Sequence, residues 1–367
     1  MLVTAAVATA PHSPLQLREV ELDEPRPDEV RVELAATGVC HTDAAIRDGL
    51  YPTPLPAVLG HEGAGTVQQV GAAVRSVAPG DHVVLSVNSC GSCHHCLQAH
   101  PAYCVEAFAR NFGGRRPDGS TSLHDGTADL SAQFFGQSAF ATHANVAERS
   151  VVRVPADLPL SSLAPLGCGV QTGAGAVLNV LRPGPGASLA VFGAGAVGSA
   201  ALLAARLTAS TRIIAVDVLE QRLQAARELG ATDVVHAGCE DVVARLQELT
   251  GGCGPDFALE TTGLPQVLRQ AADAIAPRGT VGLIGAATPG TETPLETGHS
   301  LTKGWTLRTI IEGDAVPQTF LPQLVHLWRQ GRLPFDRIVT TYPFSRINEA
   351  LADAEHGRAT KPVLLFN

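Results

Sequence analysis

Positive charge is scarce in this chain of 367 residues. Lysine and arginine together number 26 against 35 aspartates and glutamates, so the formal net charge is −9. Only two residues are lysine, Lys303 and Lys361, and no block of basic residues occurs. A protein that binds nucleic acid or an anionic membrane through its charge needs such a block. We therefore expect neither nucleic acid nor a membrane as a partner.

Long hydrophobic runs are also scarce, with one exception. Residues 187–205 carry no charge for nineteen positions, and hydropathy alone is compatible with a membrane-spanning helix there. The following residues argue against it, because TRIIAVD at 211–217 resembles a short buried strand and LEQRLQAAREL at 219–229 has the spacing of an amphipathic helix. The N-terminus, MLVTAAVATAP, lacks the basic start of a signal peptide and predicts a first strand. The sequence thus favours a soluble, cytoplasmic protein.

Hydrophobic residues make up 45% of the chain, which is enough to build a large core, and the length favours two domains. As far as about residue 155, short strand-like runs are separated by proline and glycine. From about 171 to 312, strand and helix patterns alternate, as is typical of a parallel sheet with crossover helices. Helices at 317–330 and 345–355 and a terminal strand, KPVLLF, follow. The sequence predicts a β-rich first domain, a Rossmann domain, and a tail that returns to the first domain.

A glycine-rich turn is the first candidate binding site. GAGAVG at 193–198 follows a predicted strand and begins a helix. Gly193 permits a tight turn, Gly195 lets a pyrophosphate approach the backbone, and Gly198 lets helix and strand pack closely. The start of the helix offers free N–H groups to the phosphates. Asp217, at the end of the next strand, would bond the ribose hydroxyls and repel a 2′-phosphate, so the sequence predicts NAD rather than NADP.

Four of the eight cysteines lie within fifteen residues, at Cys90, Cys93, Cys96 and Cys104. Four thiolates on one loop are what a closed tetrahedral zinc site requires. The alternative is an iron–sulfur cluster, whose cysteine run ends with a spacing of three and a proline, whereas here the last spacing is seven and Val105 follows. Disulfides are less favoured, because cysteines this close together pair awkwardly. The loop thus predicts a structural zinc site.

Three glycine-rich turns carry a second set of metal-binding residue types. They are Cys40 in GVCHTD, His61 in GHEGAG and Cys168 in PLGCGVQTG. Two cysteines and a histidine with an open fourth position form a known catalytic zinc pattern. Each residue by itself is more often buried for packing, but the shared glycine-rich setting favours a catalytic site. Cys239 and Cys253 lack such surroundings and are interpreted as ordinary thiols.

Taken together, these stretches resemble the zinc-dependent medium-chain alcohol dehydrogenases. The resemblance covers nearly the whole chain and rests on GVCHTD, GHEGAGTVQQVG, PGDHVV, the four-cysteine loop, GCGVQTGAGAVLN, VFGAGAVG and AVD. YPTPLPAVLGHEGAG and FFGQSAFATHA look most like the aryl-alcohol (benzyl alcohol) branch. The resemblance implies an α/β protein with a GroES-like, β-rich catalytic domain at 1–170 and 313–367. It also implies a doubly wound Rossmann NAD-binding domain at 171–312.

The resemblance further implies roles around the catalytic zinc, whose ligands would be Cys40, His61 and Cys168. Glu62 would lie beside the ion. Asp43 would accept the outer N–H of His61 and fix its tautomer.

Other roles implied by the resemblance concern the proton, the cofactor and the substrate. Thr42 would be the hydroxyl that contacts the substrate oxygen. Ala45 stands where many relatives carry a proton-accepting histidine, so proton exit through water is favoured. Thr172 would pack on the nicotinamide of the cofactor, and His41 and Lys361 would bind its pyrophosphate. Arg222 would lie near the adenosine ribose, unless its side chain lies on a solvated helix face. Pocket walls would be Tyr51, Phe134, Leu301 and Ile311, unless these side chains belong to the core.

The predicted activity is reversible hydride transfer between a primary alcohol, aromatic or allylic, and NAD. The enzyme would hold two zinc ions per subunit and form a homodimer or homotetramer. A thiol-dependent formaldehyde dehydrogenase is the alternative, but it needs a charged pocket, and no added cationic residue lies near Tyr51 or Phe134. A non-catalytic dinucleotide-binding protein is a third possibility, disfavoured because it would be expected to lose zinc ligands or Thr42.

Overall fold

The computed structural model describes residues 1–366 and divides into two compact units. The first unit comprises residues 1–168, 316–330 and the chain from 336 onward, and the second comprises Gly169–Ala315 and Gly331–Phe335. The divisions predicted at 170/171 and 312/313 lie within three residues of these boundaries. One segment differs from the prediction, since Gly331–Phe335 groups with the second unit.

Strands and helices occur in both units. The strands are β1 (Leu2–Ala8), β2 (Gln16–Leu22), β3 (Glu29–Gly38), β4 (Ala57–Val58), β5 (Glu62–Val70), β6 (His82–Leu85), β7 (Leu123–Asp125), β8 (Ala128–Asp129), β9 (His143–Ala147), β10 (Val151–Val154), β11 (Ser188–Phe192), β12 (Arg212–Asp217), β13 (Asp233–His236), β14 (Phe257–Glu260), β15 (Thr280–Leu283), β16 (Thr306–Thr309), β17 (Val339–Pro343) and β18 (Lys361–Leu365). The α-helices are α1 (His41–Arg47), α2 (His94–Leu97), α3 (Ala107–Phe112), α4 (Leu160–Leu163), α5 (Gly169–Gly175), α6 (Ala196–Ala205), α7 (Glu220–Leu229), α8 (Val242–Leu249), α9 (Pro265–Ala274), α10 (Thr297–Lys303), α11 (Pro317–Arg329) and α12 (Ile347–Glu355). A π-helical segment, Ala176–Leu181, continues α5, and short 3₁₀ turns lie at Pro101–Tyr103, Phe134–Gly136, Glu148–Ser150, Ala164–Gly167, Glu312–Asp314, Phe335–Ile338 and Phe344–Arg346.

The first unit is built on two sheets. One has the order β4-β1-β2-β7-β8, and the other has the order β10-β6-β5-β3-β18-β17 with β9 also paired to β3. Alternating residues of β3 decide which face is buried, since Val30, Val32 and Leu34 pack into one core cluster with Val83 and Leu85. The terminal strand β18 pairs with β3, so the predicted return of the tail to the first domain is confirmed.

The second unit contains a parallel six-stranded sheet with the order β13-β12-β11-β14-β15-β16. The strand order reverses at β11, and the carboxyl ends of strands at such a switch point form the usual binding crevice of this architecture. The charge-free run at 187–205 forms β11 and α6, both almost entirely buried. No helix in residues 1–366 has the length and apolar character needed to cross a membrane. The predicted α/β class with a Rossmann sheet is confirmed.

Candidate active site and metal centres

Cys40, His61, Glu62 and Cys168 converge in the first unit, with one possible ligand atom from each lying within 4.8 Å of the others. Strand pairing explains part of this convergence. Gly38 of β3 lies opposite Glu62 of β5, so Cys40, two residues beyond Gly38, comes close to His61. Cys168 follows a 3₁₀ turn at the end of the unit's first segment. The structure thus brings together the three residues that the sequence groups as one candidate metal site, and it places Glu62 beside them.

Asp43 orients His61. The Nδ1 atom of His61 lies 2.9 Å from Asp43 Oδ1, and both side chains are fully buried. Asp43 is held in turn by the backbone N–H groups of Gly60 and Cys40. A carboxylate at Nδ1 keeps the proton on that nitrogen and leaves the lone pair on Nε2. Nε2 is buried without a hydrogen-bond partner, and an accepting nitrogen in that position fits a metal ion.

The electrostatics of the cluster favour metal binding. The hydrogen bond with Cys168 lowers the pKa of Cys40 well below its usual value, and the thiolate is the form that binds metal. Burial lowers the pKa of His61, but the charge and hydrogen bond of Asp43 together with those of Cys40 outweigh burial and raise that pKa well above its usual value. A metal ion must displace the proton that His61 takes up at Nε2, so metal affinity is expected to fall as the pH falls.

Glu62 and Lys361 form a buried ion pair beside this cluster. Lys361 Nζ lies 2.8 and 3.0 Å from the two carboxylate oxygens of Glu62 and 3.1 Å from the carbonyl oxygen of Val39. Burial lowers the pKa of Lys361, but the charges of Glu62, Cys40 and Cys168 together with the hydrogen bond of Glu62 outweigh burial and raise that pKa. Burial raises the pKa of Glu62 against the opposing charge of Lys361. Three oxygens thus accept the ammonium N–H groups of Lys361, and its contact with the cofactor pyrophosphate stays a prediction.

The start of α1 carries the predicted proton-handling residue. Thr42 Oγ1 lies 3.7 Å from Cys40 Sγ, and its side chain is half-buried. His41, the first residue of α1, is exposed. Ala45 is buried on the same helix and offers no proton acceptor. Thr42 and Asp43 are therefore the polar residues of α1 that contact the candidate metal ligands.

Aromatic rings surround His61, and two of them were not among the predicted site residues. Phe135 stacks on the imidazole with ring centroids 4.5 Å apart, and Phe134 meets it edge-on at 5.3 Å. Phe112 contacts both phenylalanines, and Tyr51 stacks on Phe112 at 5.5 Å. We call these four rings the aromatic cluster. Phe134 is fully buried in the hydrophobic core and Tyr51 packs against it, so the role of both as pocket walls stays a prediction. The adjacent phenylalanines of FFGQ are the sequence signal for Phe135, and no motif marks Phe112.

The four-cysteine loop forms the second candidate metal centre. The sulfur atoms of Cys90, Cys93, Cys96 and Cys104 lie within 4.8 Å of one another, and none of these residues is in a disulfide. Backbone N–H groups, the first from Ser92, lower the pKa of Cys90 to about 6, whereas burial raises the pKa of Cys104 to about 12. A cation bound among the four sulfurs would stabilise all four thiolates. The arrangement fits a closed zinc site.

The three glycines of the nucleotide turn have different surroundings in the second unit. Gly193 has φ +91°, a conformation that favours glycine. A Cβ atom on Gly198 would lie 1.8 Å from the carbonyl oxygen of Gly193, whereas a Cβ on Gly195 would have no neighbour within 4 Å. Gly198 therefore permits close packing, and Gly195 leaves open space beside the backbone. This fits the three roles predicted from the sequence.

Asp217 lies beside this turn at the end of β12. Its Oδ2 accepts the N–H of Ala194 at 2.7 Å, and its Oδ1 accepts that of Leu219 at 3.0 Å. Arg222 Nη1 lies 3.8 Å from Asp217 Oδ2, and Arg222 Nε is buried without a hydrogen-bond partner. Arg222 therefore lies beside Asp217, and its contact with the adenosine ribose stays a prediction.

The remaining predicted residues of the second unit differ in burial. Thr172 on α5 is buried, and its hydroxyl lies 3.4 Å from Glu312 Oε2. Leu301 on α10 and Ile311 are 83% and 50% exposed, so neither belongs to the core. Their role as pocket walls stays a prediction.

Two protein-family profiles match the chain. The alcohol dehydrogenase GroES-like domain matches residues 26–156, and the zinc-binding dehydrogenase profile matches residues 196–328. The geraniol dehydrogenase of Castellaniella defragrans is 48% identical over 364 residues, which cover 99% of this chain and 97% of that protein. The chain belongs to the zinc-dependent alcohol dehydrogenase family. The dehydrogenase interconverts alcohols and aldehydes with NAD and is a zinc enzyme.

Solved structures agree with this membership. The alcohol dehydrogenase zinc-binding domain protein of Burkholderia ambifaria is 51% identical with a TM-score of 0.97, over 100% of this chain and 99% of that one. The benzyl alcohol dehydrogenase of Acinetobacter calcoaceticus is 43% identical with a TM-score of 0.96 over the full length of both chains. The predicted GroES-like and Rossmann architecture of the dehydrogenase is thereby confirmed.

Proposed function

We propose that the dehydrogenase acts on primary alcohols whose hydroxyl-bearing carbon adjoins an aromatic ring or an allylic double bond, and on the corresponding aldehydes. The aromatic cluster packed around His61 carries this proposal. Aromatic side chains favour π-rich ligands through stacked and edge-to-face contacts, and apolar lining provides most of the burial of a small ligand. Two relatives named for geraniol and benzyl alcohol, an allylic and an aromatic alcohol, support the same substrate class.

Cys40, His61 and Cys168 would hold the catalytic zinc, with Glu62 beside it. The unpartnered Nε2 atom of His61 and the low pKa of Cys40 support this assignment. When bound, zinc acts as a Lewis acid that polarises the substrate oxygen and lowers the pKa of the hydroxyl. Cys90, Cys93, Cys96 and Cys104 would hold a second, structural zinc, whose binding energy contributes to folding.

The chain's own residues position the substrate and move its proton. Asp43 keeps His61 in the tautomer that presents Nε2. Thr42 accepts a hydrogen bond from the substrate hydroxyl and passes the proton to water, because Ala45 offers no acceptor and the neighbouring His41 is expected at the cofactor pyrophosphate. The aromatic cluster excludes water from the ring-binding side of the site.

The cofactor assignment rests on the second unit. Gly193, Gly195 and Gly198 would form the turn beneath the NAD pyrophosphate, Asp217 and Arg222 would contact the adenosine ribose, and Thr172 would pack on the nicotinamide. The open space at Gly195 and the burial of Asp217 support these roles. The Asp217 carboxylate would repel the 2′-phosphate of NADP.

The proposal includes a homo-oligomer, either dimer or tetramer, and a cytoplasmic location. β16 is an edge strand of the six-stranded sheet, and all four of its residues are exposed, so its backbone is available to pair with a second copy. None of the eight cysteines forms a disulfide, which fits a reducing compartment.

A substrate panel tests the proposed function. The zinc-loaded enzyme would be assayed for NADH formation with benzyl alcohol, geraniol, cyclohexylmethanol and S-hydroxymethylglutathione. Cyclohexylmethanol matches benzyl alcohol in size but lacks the π system. We expect kcat/KM for benzyl alcohol to exceed that for cyclohexylmethanol by about tenfold, since one aromatic contact contributes about 0.5–1.5 kcal/mol and 1.4 kcal/mol is tenfold.

Each other outcome has a distinct meaning. Equal kcat/KM values for the two ring alcohols would contradict the role of the aromatic cluster. A preference for S-hydroxymethylglutathione would identify the thiol-dependent formaldehyde dehydrogenase. NADH binding without turnover of any alcohol would identify a non-catalytic dinucleotide-binding protein.

A further inference from the structure

A strained turn lies against α5 in the second unit. Glu312, Gly313 and Asp314 have φ values of +52°, +66° and +50°, and two of these three residues are not glycine. L-amino acids rarely adopt the left-handed region, and non-glycine residues held there cluster at functional sites. Glycine at 312 would adopt this φ without strain. The presence of glutamate therefore indicates that its side chain has a task.

The buried carboxylate of Glu312 binds two successive residues of α5. Its Oε2 accepts the amide N–H of Gln171 at 2.7 Å and lies 3.4 Å from the hydroxyl oxygen of Thr172. In a helix, a threonine hydroxyl usually bonds a backbone carbonyl one turn earlier. Here the hydroxyl of Thr172 faces a carboxylate instead. This contact selects one χ1 rotamer of Thr172 and so fixes the position of its γ-methyl group.

The turn is pressed closely against the helix that it holds. Asn179, in the π-helical segment that continues α5, donates to the carbonyl oxygen of Gly313 at 3.0 Å. A Cβ atom on Gly175 would lie 2.5 Å from the same oxygen, so the two backbones are in direct contact. π-helical turns are frequently found at functional sites. The backbone beside Glu312 is thus held against α5, which limits the positions that the Glu312 carboxylate can take.

We propose that Glu312 is a positioning residue for hydride transfer, which orients Thr172 both directly and through Gln171. This inference rests on the proposed function, in which Thr172 packs on the nicotinamide. A fixed γ-methyl group would hold the ring at the distance and angle that transfer to the substrate carbon requires. A carboxylate suits this task because hydrogen bonds to a charged acceptor are shorter and stronger than those to a neutral one.

Three substitutions separate positioning from stability. Glu312→Ala removes the carboxylate and keeps the backbone strain, whereas Glu312→Gly removes both. The glycine variant should therefore unfold at a higher temperature than the alanine variant, while both show the same kinetic defect. Glu312→Gln keeps a carbonyl acceptor of the same length and should retain more activity than either. Asp314→Asn is the matched control, because that carboxylate lies in the same turn and pairs with Arg308 at 2.9 Å.

The experiment measures kcat, KM for NAD and for benzyl alcohol, and the primary deuterium isotope effect with α-dideuterated benzyl alcohol, all on the zinc-loaded enzyme. A small misplacement of reacting groups can cost about 100-fold in rate, so we expect kcat to fall about 10- to 100-fold in Glu312→Ala and Glu312→Gly. The isotope effect on kcat should rise because hydride transfer becomes slower than product release. Asp314→Asn should leave kcat and the isotope effect unchanged.

A double variant tests the connection to Thr172. Thr172→Val keeps the shape of the side chain but removes the hydroxyl, and adding it to Glu312→Ala should cause no further loss, since the two residues act through one contact. Two results would overturn the inference. In the first, kcat would rise with the melting temperature across the variants, so that Glu312→Gly is more active than Glu312→Ala. In the second, the isotope effect on kcat would stay at the wild-type value in both variants. A wild-type enzyme that oxidises no alcohol would refute the proposed function instead. NADH fluorescence would then still show whether Glu312→Ala alters nicotinamide binding.

Discussion

Alanine substitutions at Gly195 and Gly198 should separate cofactor binding from stability within one turn. A methyl group on Gly198 would lie 1.8 Å from the carbonyl oxygen of Gly193, an impossible distance that forces the backbone to move. Overpacking of this kind costs about 1–3 kcal/mol. For a domain of this size, that loss lowers the melting temperature by about 2–12 °C. Gly198→Ala is therefore expected to destabilise the fold.

Gly195→Ala should have the opposite pattern. A Cβ atom at Gly195 meets nothing within 4 Å, and the backbone angles, φ −70° and ψ −165°, are accessible to alanine. Stability should therefore stay the same or rise by about 0.4–1 kcal/mol. The methyl group would, however, occupy the space beside the backbone into which the pyrophosphate is proposed to fit. Losing one charge-assisted hydrogen bond costs about 1.5–3 kcal/mol, which corresponds to a Kd for NADH that is about 10- to 150-fold higher.

Thermal unfolding and NADH fluorescence titration would measure the two quantities on the same samples. Gly184→Ala is the control, since a Cβ there also meets nothing within 4 Å and the residue lies outside the nucleotide turn. It should leave both the melting temperature and the Kd for NADH close to wild type. Wild-type NADH affinity in Gly195→Ala would refute the placement of the pyrophosphate. Wild-type stability in Gly198→Ala would contradict the close contact between Gly198 and the carbonyl oxygen of Gly193.

Three further predictions concern metal binding and cofactor choice. Asp43→Ala should weaken zinc binding at the His61 site by about 10- to 100-fold, because the tautomer is no longer held; dialysis against a chelator followed by metal analysis measures this, and unchanged retention would contradict it. Cys96→Ser should lower the melting temperature and reduce the zinc content by one ion. Cys40→Ser, in contrast, should abolish turnover and leave the fold intact. Iron in the purified enzyme would refute the assignment of both sites to zinc. Asp217→Ala should lower kcat/KM for NAD by about tenfold, the cost of one hydrogen bond to a charged group. It should also reduce the ratio of kcat/KM for NAD to that for NADP. Equal use of NAD and NADP by the wild type would refute the role of Asp217 in cofactor choice.

Features that depend on neighbouring residues were predictable from the sequence. The strands and helices of the second unit could be assigned because hydrophobic periodicity records which face of each element is buried. The glycine turn could be assigned because its backbone conformation and close contacts exclude side chains. The four cysteines from Cys90 to Cys104 could be assigned to one metal site because they lie on one short loop. Their thiols can therefore come together without the packing of any other element.

Several contacts could not be predicted because they join residues from distant parts of the chain. The ion pair of Lys361 with Glu62 is one of them, because the pairing of β18 with β3 brings Lys361 into the interior, where it meets Glu62. A buried ammonium group requires acceptors, and the neighbouring carboxylate provides them. The stacking of Phe135 on His61 likewise joins two distant segments of the chain, and no local sequence pattern predicts it.

The sequence by itself determined the architecture, the nucleotide turn and the cysteine loop, since each follows from a short-range pattern of hydrophobicity, glycine or spacing. It also supplied Cys40, His61 and Cys168 as candidate zinc ligands, from their shared glycine-rich setting and from the family resemblance, although each residue by itself is more often buried for packing. Only the tertiary structure decided that they meet, because the pairing of β3 with β5 brings distant segments together. It also decided that the aromatic cluster surrounds His61 and that Glu312 reaches Thr172, whereas the contact of Asp43 with His61 was implied by the resemblance. Side-chain contacts of this kind arise when strands and loops pack, and packing is a property of the whole chain.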